Sequence, residues 1–578
     1  MHLKKSVVFA VIFALFPGLF AQEILKSTQE EYYDFLSLYG IVERPAFNYR
    51  TLSDSKWIPS QEITDEVNEP WSDKKITSDF TLLNLNFNDS NFFLRGLDPK
   101  ISVKIYEIEN SNSYNTAAPF GQNDGAFWQG KGYNTAFSTG LRVEGFGFEL
   151  TVRPQLSFSQ NKEFEYLVDG YYSPVFAEKA SAFGYVWGAC DAPQRFGNDS
   201  FWTYDWGDTE VRWSWYGFTL GFGTQSVWLG PAFENPLLHS NHAASYPKID
   251  IGLRRTQIII PYLNWYLGDI EARMWAGRLE ESEYFDNDES NNYRLLTGFS
   301  VSYNPPFIKG LSIGVNKMTM CKWNNPDRIY YLNPFFNTNT LTGNDNRGED
   351  MKASITVDWL FEKVQLDIYS EIGFDDFLSN GFKFYEYARF PLHTITYTVG
   401  LKKAFTHSEA HQIKGLLAFE WNCTEASQDY QMWPGSGYNF GFHGQINQGY
   451  TNKGQWLGSG IGYGGNSQYL SYTVFSKHGY EKFFIGRNNP DNSYIWAKCV
   501  DGDSSYNAIR YFTAFKANFY TGIEAETFVI NGLRIQSGFT YNLIINPMYN
   551  PGLSTSGYYR EYNYINNFNF RLGIKYQI

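Results

Sequence analysis

The sequence predicts an all-β fold: a transmembrane, antiparallel, up-and-down β-barrel of about 18 strands with a small periplasmic helical element at its N-terminus. Three observations predict it. Aromatic residues make up 19% of the 578-residue chain, yet the mean hydropathy is negative at −0.39. Segments of strict apolar/polar alternation recur in pairs, with short turns inside the pairs and long loops between them. The chain opens with an export signal, and no later apolar stretch reaches the roughly 20 residues of a spanning helix.

The elements follow in order. "MHLKK" is a basic leader and "SVVFAVIFALFPGLF" an apolar core, with Ala21 before the expected cut, so residues 1–21 are assigned as a signal peptide. Residues 22–75 are expected to form a partly helical periplasmic element. "STQEEYYDFLSLYG" offers a capping box from Thr28 to Glu31 and a stop at Gly40. Tyr32, Phe35, Leu36 and Tyr39 share one face of that helix.

Residues 76–578 are assigned to the barrel. In the final stretch "NFNFRLGIKYQI", Phe568, Phe570, Leu572, Ile574 and Tyr576 alternate with Asn569, Arg571, Gly573, Lys575 and Gln577. A period of two puts one set on each face of a strand. "HTITYTVGLKK", "LRIQSGFTYNLI" and "SITVDW" repeat the pattern. In a membrane barrel the apolar set meets lipid and the polar set meets the lumen, and the excess of Tyr, Trp and Phe supplies the interfacial girdles. Short links are expected at 144–147, 216–217, 267–269, 360–363 and 530–532, with Asn531-Gly532 as a type I′ hairpin signature. Long loops rich in Asn, Asp, Gly, Trp and Tyr are expected at 187–208, 228–250, 281–293, 321–350, 424–465 and 487–508, on the cell exterior.

Composition also excludes. With 60 acidic against 47 basic residues the net charge is −13, which disfavours a nucleic-acid partner. Cys190, Cys321, Cys423 and Cys499 are scattered without a CxxC pair, so no zinc site of that kind is expected, and disulfide partners stay open. "THSEAH" places His407, Glu409 and His411 at H-x-E-x-H spacing in a tight turn, not on a helix face. The oxygen-rich loops around Asp286 and Asp288, and around Asp345, Asn346, Glu349 and Asp350, lack the EF-hand frame and read better as solvated loops than as calcium sites. There is no nucleophile elbow, P-loop or dinucleotide fingerprint. No catalytic residue, cofactor or metal is therefore assigned, and an enzyme is not expected.

One loop stands apart. Residues 226–247 read "SVWLGPAFENPLLHSNHAASYP", and the neighbouring 187–208 stretch adds Trp202 and Trp206. Flat rings pack on the C–H face of a sugar, and amides and carboxylates bond its hydroxyls. Trp202, Trp206, Trp228, Asn235, His239, Asn241 and His242 are thus the expected polysaccharide contacts. An equally weighted reading makes the rings an interfacial girdle, has Gly230-Pro231 set a bend and lets Asn241 bond the loop backbone.

The stretch "WYGFTLGFGTQSVWLGPAFENPLLHSNHAASYPKIDIGLRR" (215–255), followed by "WAGRLEESEYF" (275–285), resembles the Wzi capsule-assembly family. The match is sharpest at Trp228, Gly230, Pro231, Leu237, Leu238, Ser240, Asn241 and Pro247. This chain departs from common barrel endings by finishing in Ile578. The resemblance implies an outer-membrane barrel of a diderm bacterium acting as a lectin that attaches or helps assemble capsular or surface polysaccharide. Outer-membrane lipid and the barrel-assembly machinery are its other expected partners. The inward charges Asp358, Arg534, Arg571 and Lys575 keep a porin or substrate-specific channel as the alternative, which the N-terminal element, from its position, would plug, and the long loops keep a surface adhesin.

Overall fold

Along the last strand, Phe568, Phe570, Leu572, Ile574 and Tyr576 are exposed, while Asn569, Gly573 and Lys575 are buried. That is the inverse of a soluble sheet and the expected profile of a wall with lipid outside. The pattern holds around the whole closed sheet of this computed structural model, which describes residues 21–578 apart from 23–24, 61–68, 75, 77–78, 85–96, 98–99, 168–189, 334–347, 376–390, 393, 426, 428–439, 497–514, 550–552 and 555–559. Of the signal peptide assigned to 1–21, residues 1–20 lie outside the described residues.

The wall has 18 antiparallel strands, two of them interrupted. The first six are β1 (Lys100–Asn115), β2 (Gly132–Gly145), β3 (Phe148–Val152 with Gln155–Ser159), β4 (Phe201–Asp205 with Glu210–Trp215), β5 (Phe218–Gly223) and β6 (Lys248–Ile260). The next six are β7 (Trp265–Glu280), β8 (Tyr293–Asn304), β9 (Leu311–Lys322), β10 (Glu349–Phe361), β11 (Leu366–Asp375) and β12 (Ile395–Ser408). The last six are β13 (Ile413–Cys423), β14 (Asn466–Ser476), β15 (Gly479–Asn489), β16 (Ala517–Ile530), β17 (Leu533–Ile545) and β18 (Tyr564–Tyr576). Neighbours in sequence are neighbours in the wall, and β18 closes on β1 through Asn569↔Asn115 to Tyr576↔Ile108. A short segment, Asp79–Asn84, pairs with the other half of the same β1 edge.

Three turns differ from expectation. The β10–β11 turn is at 362–365, not 360–363: Leu360 and Phe361 lie inside β10. The β6–β7 turn is at 261–264, not 267–269: Gly268 lies inside β7, and Tyr262 and Asn264 carry the left-handed backbone. At Asn531-Gly532 only the glycine has positive φ (85°), so the turn is not type I′. Phe146-Gly147 and Tyr216-Gly217, with positive φ at both positions, are the hairpins of that kind.

Helix α1 (Thr28–Leu38) forms where the sequence puts it, capped one residue earlier than expected. Ser27 is the N-cap and accepts from Glu30 N–H at 3.1 Å, and Glu30 reaches back to Lys26 N–H. The helix is not a separate periplasmic body. Residues 25–60 sit inside the short-turn mouth of the barrel because their charges pair with the inner wall. Glu31 meets Lys482 at 3.0 Å, Asp34 meets Lys402 at 2.6 Å, Arg44 meets Asp358 at 3.0 Å and Asp367 at 2.7 Å, and Asp54 meets Arg254 at 2.8 Å. The apolar face predicted for α1 packs Tyr32, Phe35 and Leu36 on Trp71, Phe475 and Tyr480.

These pairs give the plug a pH dependence. Burial alone would raise the Asp34 carboxyl, but Lys402 and then Arg44 hold it well below the usual range, and Arg273 and Arg254 do the same for Asp54. Depressed carboxyls stabilise docking fully above their ordinary pKa of about 4, and the stabilisation is lost as pH falls toward the folded values. Glu30, raised by burial, acts in the opposite sense. Protease protection of residues 25–60 is expected to be constant from neutral pH down to about pH 4 and to fall below it; a loss already complete at about pH 6 would contradict this assignment.

Candidate functional site in the lumen

The β5–β6 connection, expected as an exterior loop, turns into the lumen instead. Val227, Leu229, Leu237 and Leu238 drive it there: they join Tyr49, Trp275, Leu279, Leu296, Met318, Met320, Phe440, Tyr450 and Tyr463 in one buried cluster. The wall supplies polar anchors. Glu420 on β13 accepts the backbone N–H groups of Phe233 (2.6 Å), Glu234 (3.0 Å) and Asn235 (2.7 Å), and Glu371 on β11 accepts Leu237 N–H at 2.9 Å. Residues 456–463 close over the loop, with Ser240 N–H donating to Leu457 O at 2.7 Å and Tyr463 O–H to Leu237 O at 2.8 Å.

This framework sorts the seven expected contact residues into three groups. Trp202 and Trp206 are 65% and 57% exposed on the outer face of the barrel. They alternate with buried Asp205, and Trp202 packs on Phe158 of the neighbouring strand, so they belong to the outer girdle and not to a lumenal site.

Trp228, Asn235 and His239 are buried and build the loop. Trp228 Nε1 donates to Ala232 O at 2.9 Å. Asn235 Oδ1 accepts from Ser459 Oγ at 3.0 Å. Both His239 nitrogens are engaged, Nδ1 with Val227 O at 2.8 Å and Nε2 with the Tyr246 hydroxyl at 2.7 Å. Burial pushes the His239 imidazole down to about 4, so it is neutral at pH 7.

Asn241 and His242 line a cavity of about 670 Å³. Asn241 Oδ1 is buried with no protein partner. His242 Nδ1 accepts Asn123 N–H at 3.2 Å, and burial lowers the ring to about 4, which leaves its proton on Nε2.

Sequence reasoning missed the opposite side of this cavity. The β1–β2 connection, "PFGQNDGAFWQG" (119–130), contributes Gln122, Asn123, Asp124 and Trp128, and Tyr520 projects from β16. Its amide, carboxylate and tryptophan mix matches that of 226–247 and was the available signal. Tyr520 gave none, because "NFY" places two rings on opposite faces of one strand. Trp128 Nε1 and Asn123 Oδ1 are buried without partners among the described residues. Asp124 takes a 2.6 Å bond from Gln129 Nε2, and burial raises its carboxyl to about 6. Rings beside amide, indole and carboxyl groups suit a hydroxylated ligand. Among the described residues no group of three His, Cys, Asp or Glu could hold a metal, and Cys190, Cys321 and Cys423 are free thiols.

A family profile described as capsule assembly protein Wzi matches residues 111–478, from β1 to the β14–β15 turn. The chain belongs to the Wzi capsule-assembly family. No curated protein sequence matches it. Among solved structures, this Wzi-family barrel is similar to Wzi of Escherichia coli, described as an outer-membrane protein involved in group 1 capsule assembly and a carbohydrate-binding β-barrel. The TM-score is 0.52 at 10% identity, over 82% of this chain and 85% of that one. At that identity the likeness is one of fold. OccAB4 of Acinetobacter baumannii (TM-score 0.35, 10% identity, 82% of this chain and 97% of that one) and a porin mutant of Rhodopseudomonas blastica (0.30, 9%, 82% and 99%) match too loosely to carry an argument.

Proposed function

We propose that this Wzi-family barrel attaches, or helps assemble, capsular or surface polysaccharide at the outer membrane of a diderm bacterium. It acts as a lectin-like binding protein and not as an enzyme. The observation that carries the reading is the lumenal cavity, where unpartnered polar atoms of Asn123, Trp128 and Asn241 share one space with aromatic rings. Buried donors and acceptors of that kind call for a polar ligand or solvent. Of the expected contact residues, Asn241 and His242 are the ones this reading retains as direct contacts; Trp228, Asn235 and His239 hold their loop in position. The apolar outer band takes membrane lipid as its partner, and the closed wall requires assembly machinery for insertion.

A channel reading has no specific observation in its favour, since Asp358, Arg534, Arg571 and Lys575 are all engaged in ion pairs. Asn241→Ala with His242→Ala is expected to weaken retention of the source bacterium's surface polysaccharide at least about tenfold, or 1.4 kcal/mol, in detergent pull-down. Heat-modifiable gel mobility should be unchanged. Failure of the unmodified barrel to retain any such polysaccharide would overturn the reading.

A further inference from the structure

Three inward asparagines occupy one patch of wall at the long-loop ends of their strands. Asn488 on β15 is directly opposite Asn518 on β16. Asn542 on β17 is opposite Tyr520, which sets it diagonal to Asn518. The side-chain carbonyl oxygens of all three are buried and have no partner among the described residues, and all three residues line the cavity beside the Tyr520 ring. Asp491, just beyond β15, is in the same condition: its Oδ2 accepts the Tyr549 hydroxyl at 2.5 Å, and its Oδ1 has no partner.

Elsewhere in the barrel, inward asparagines are tied down. Asn316 holds Asn48 and Ser354, and Asn569 donates to Asn115 at 2.8 Å and accepts from Arg571 at 3.1 Å. In the β15–β17 strip, no loop side chain among the described residues bonds the three carbonyl oxygens. Buried acceptors are expected to find a donor.

We propose that Asn488, Asn518 and Asn542, with the Tyr520 ring, form a subsite inside the lumen for one neutral, hydroxyl-rich sugar residue of the bound polysaccharide. The inference rests on the polysaccharide-binding reading above and deepens it by naming the ligand class. Each asparagine presents an acceptor oxygen beside an NH2 donor, so the patch suits hydroxyls, which both donate and accept. The ring offers an apolar face for the sugar's C–H side. A uronate or other anionic residue is disfavoured, because the cavity's cations already face carboxylates: Lys516 faces Asp491, Arg571 meets Glu524, Arg153 meets Glu109 and Lys482 meets Glu31. A site in the lumen rather than on the rim fits a chain end or a side branch.

The test uses the full-length barrel in detergent. The probes are oligosaccharides released by partial hydrolysis of the source bacterium's surface polysaccharide, separated into neutral and anionic fractions, with binding read by calorimetry. Asn518→Leu/Asn542→Leu removes two acceptors, and Tyr520→Leu removes the ring; heat-modifiable mobility confirms folding of each. The expected result is binding of the neutral fraction by the unmodified barrel, weakened at least about tenfold in both variants. Equal binding by the barrel and its variants, binding of the anionic fraction alone, or no binding of either fraction overturns the subsite. Retention of the intact polysaccharide in those cases confines the failure to the subsite. Its absence removes the polysaccharide-binding reading as well.

Discussion

Replacing Glu420 with alanine is expected to abolish polysaccharide retention while leaving the barrel closed. One carboxylate on β13 accepts three successive backbone N–H groups, from Phe233 to Asn235, and the Tyr369 hydroxyl at 2.8 Å. Without it these donors stay buried and unpaired, a penalty of about 1–3 kcal/mol each before relaxation. The loop has an escape from that penalty: it can leave the wall. Asn235, the buried His239 and the cavity-lining pair Asn241 and His242 then lose their positions together. Hydrogen exchange should show amides 233–242 losing protection while the β12–β14 amides keep theirs. Glu420→Gln, which retains one acceptor oxygen, should fall between the two. An alanine variant with full loop protection and full binding would show that the apolar cluster alone holds the loop.

The second large effect is expected at Arg44. Its guanidinium bridges α1 to the wall, meeting Asp34 at 3.3 Å, Asp358 at 3.0 Å and Asp367 at 2.7 Å. Arg44→Ala leaves two wall carboxylates facing each other in a buried site without their cation. Breaking such a pair typically costs about 3–5 kcal/mol. That is enough to undock the N-terminal segment rather than unfold the wall, whose ladder bonds are untouched. Limited proteolysis should release residues 25–60 from a barrel that still shows heat-modifiable mobility. Arg44→Lys, a point charge that cannot reach both wall carboxylates as a fork, should be only partly protective. An Arg44→Ala barrel as protease-resistant as the parent would place the docking energy in the Tyr32, Phe35 and Leu36 contacts instead.

The wall was legible in the sequence because its signal is local. Alternation in "SITVDW" predicts Ile355, Val357 and Trp359 outside and Ser354, Thr356 and Asp358 inside, and each is found there. The paired short turns and long loops were legible for the same reason, apart from the 187–208 loop, which holds the strand Phe201–Asp205, the β10–β11 turn, which lies at 362–365, and β6–β7. There Gly268 drew the turn into a strand, while the sharper marker, Pro261, sat in a run that reads as strand. Of what folds into the lumen, only the N-terminal element was legible, from its position; the β5–β6 loop was not, because its place depends on pairings across hundreds of residues. Apolar Val227, Leu229, Leu237 and Leu238 in a nominal exterior loop were the trace of it: such residues need a core, and an exterior loop has none. The site suffered accordingly. Asn241 and His242 were found from composition, Trp202 and Trp206 were drawn from a girdle of similar composition, and Asn488, Asn518 and Asn542 were invisible among the inward polar residues of any strand.

The distribution of the plug's partners also fixes an order of events. Thr28 donates to Glu526 on β16 at 2.9 Å and accepts from Lys575 on β18 at 3.0 Å, while Gln29 donates to Glu107 on β1 at 2.9 Å. The segment made near the start of translation therefore has no complete berth until the last strand exists and has met the first. Its docking is a late step with large loop-closure entropy behind it. During export it travels as an unsatisfied charged tail, and its final seating reports that the ring has closed in the correct register.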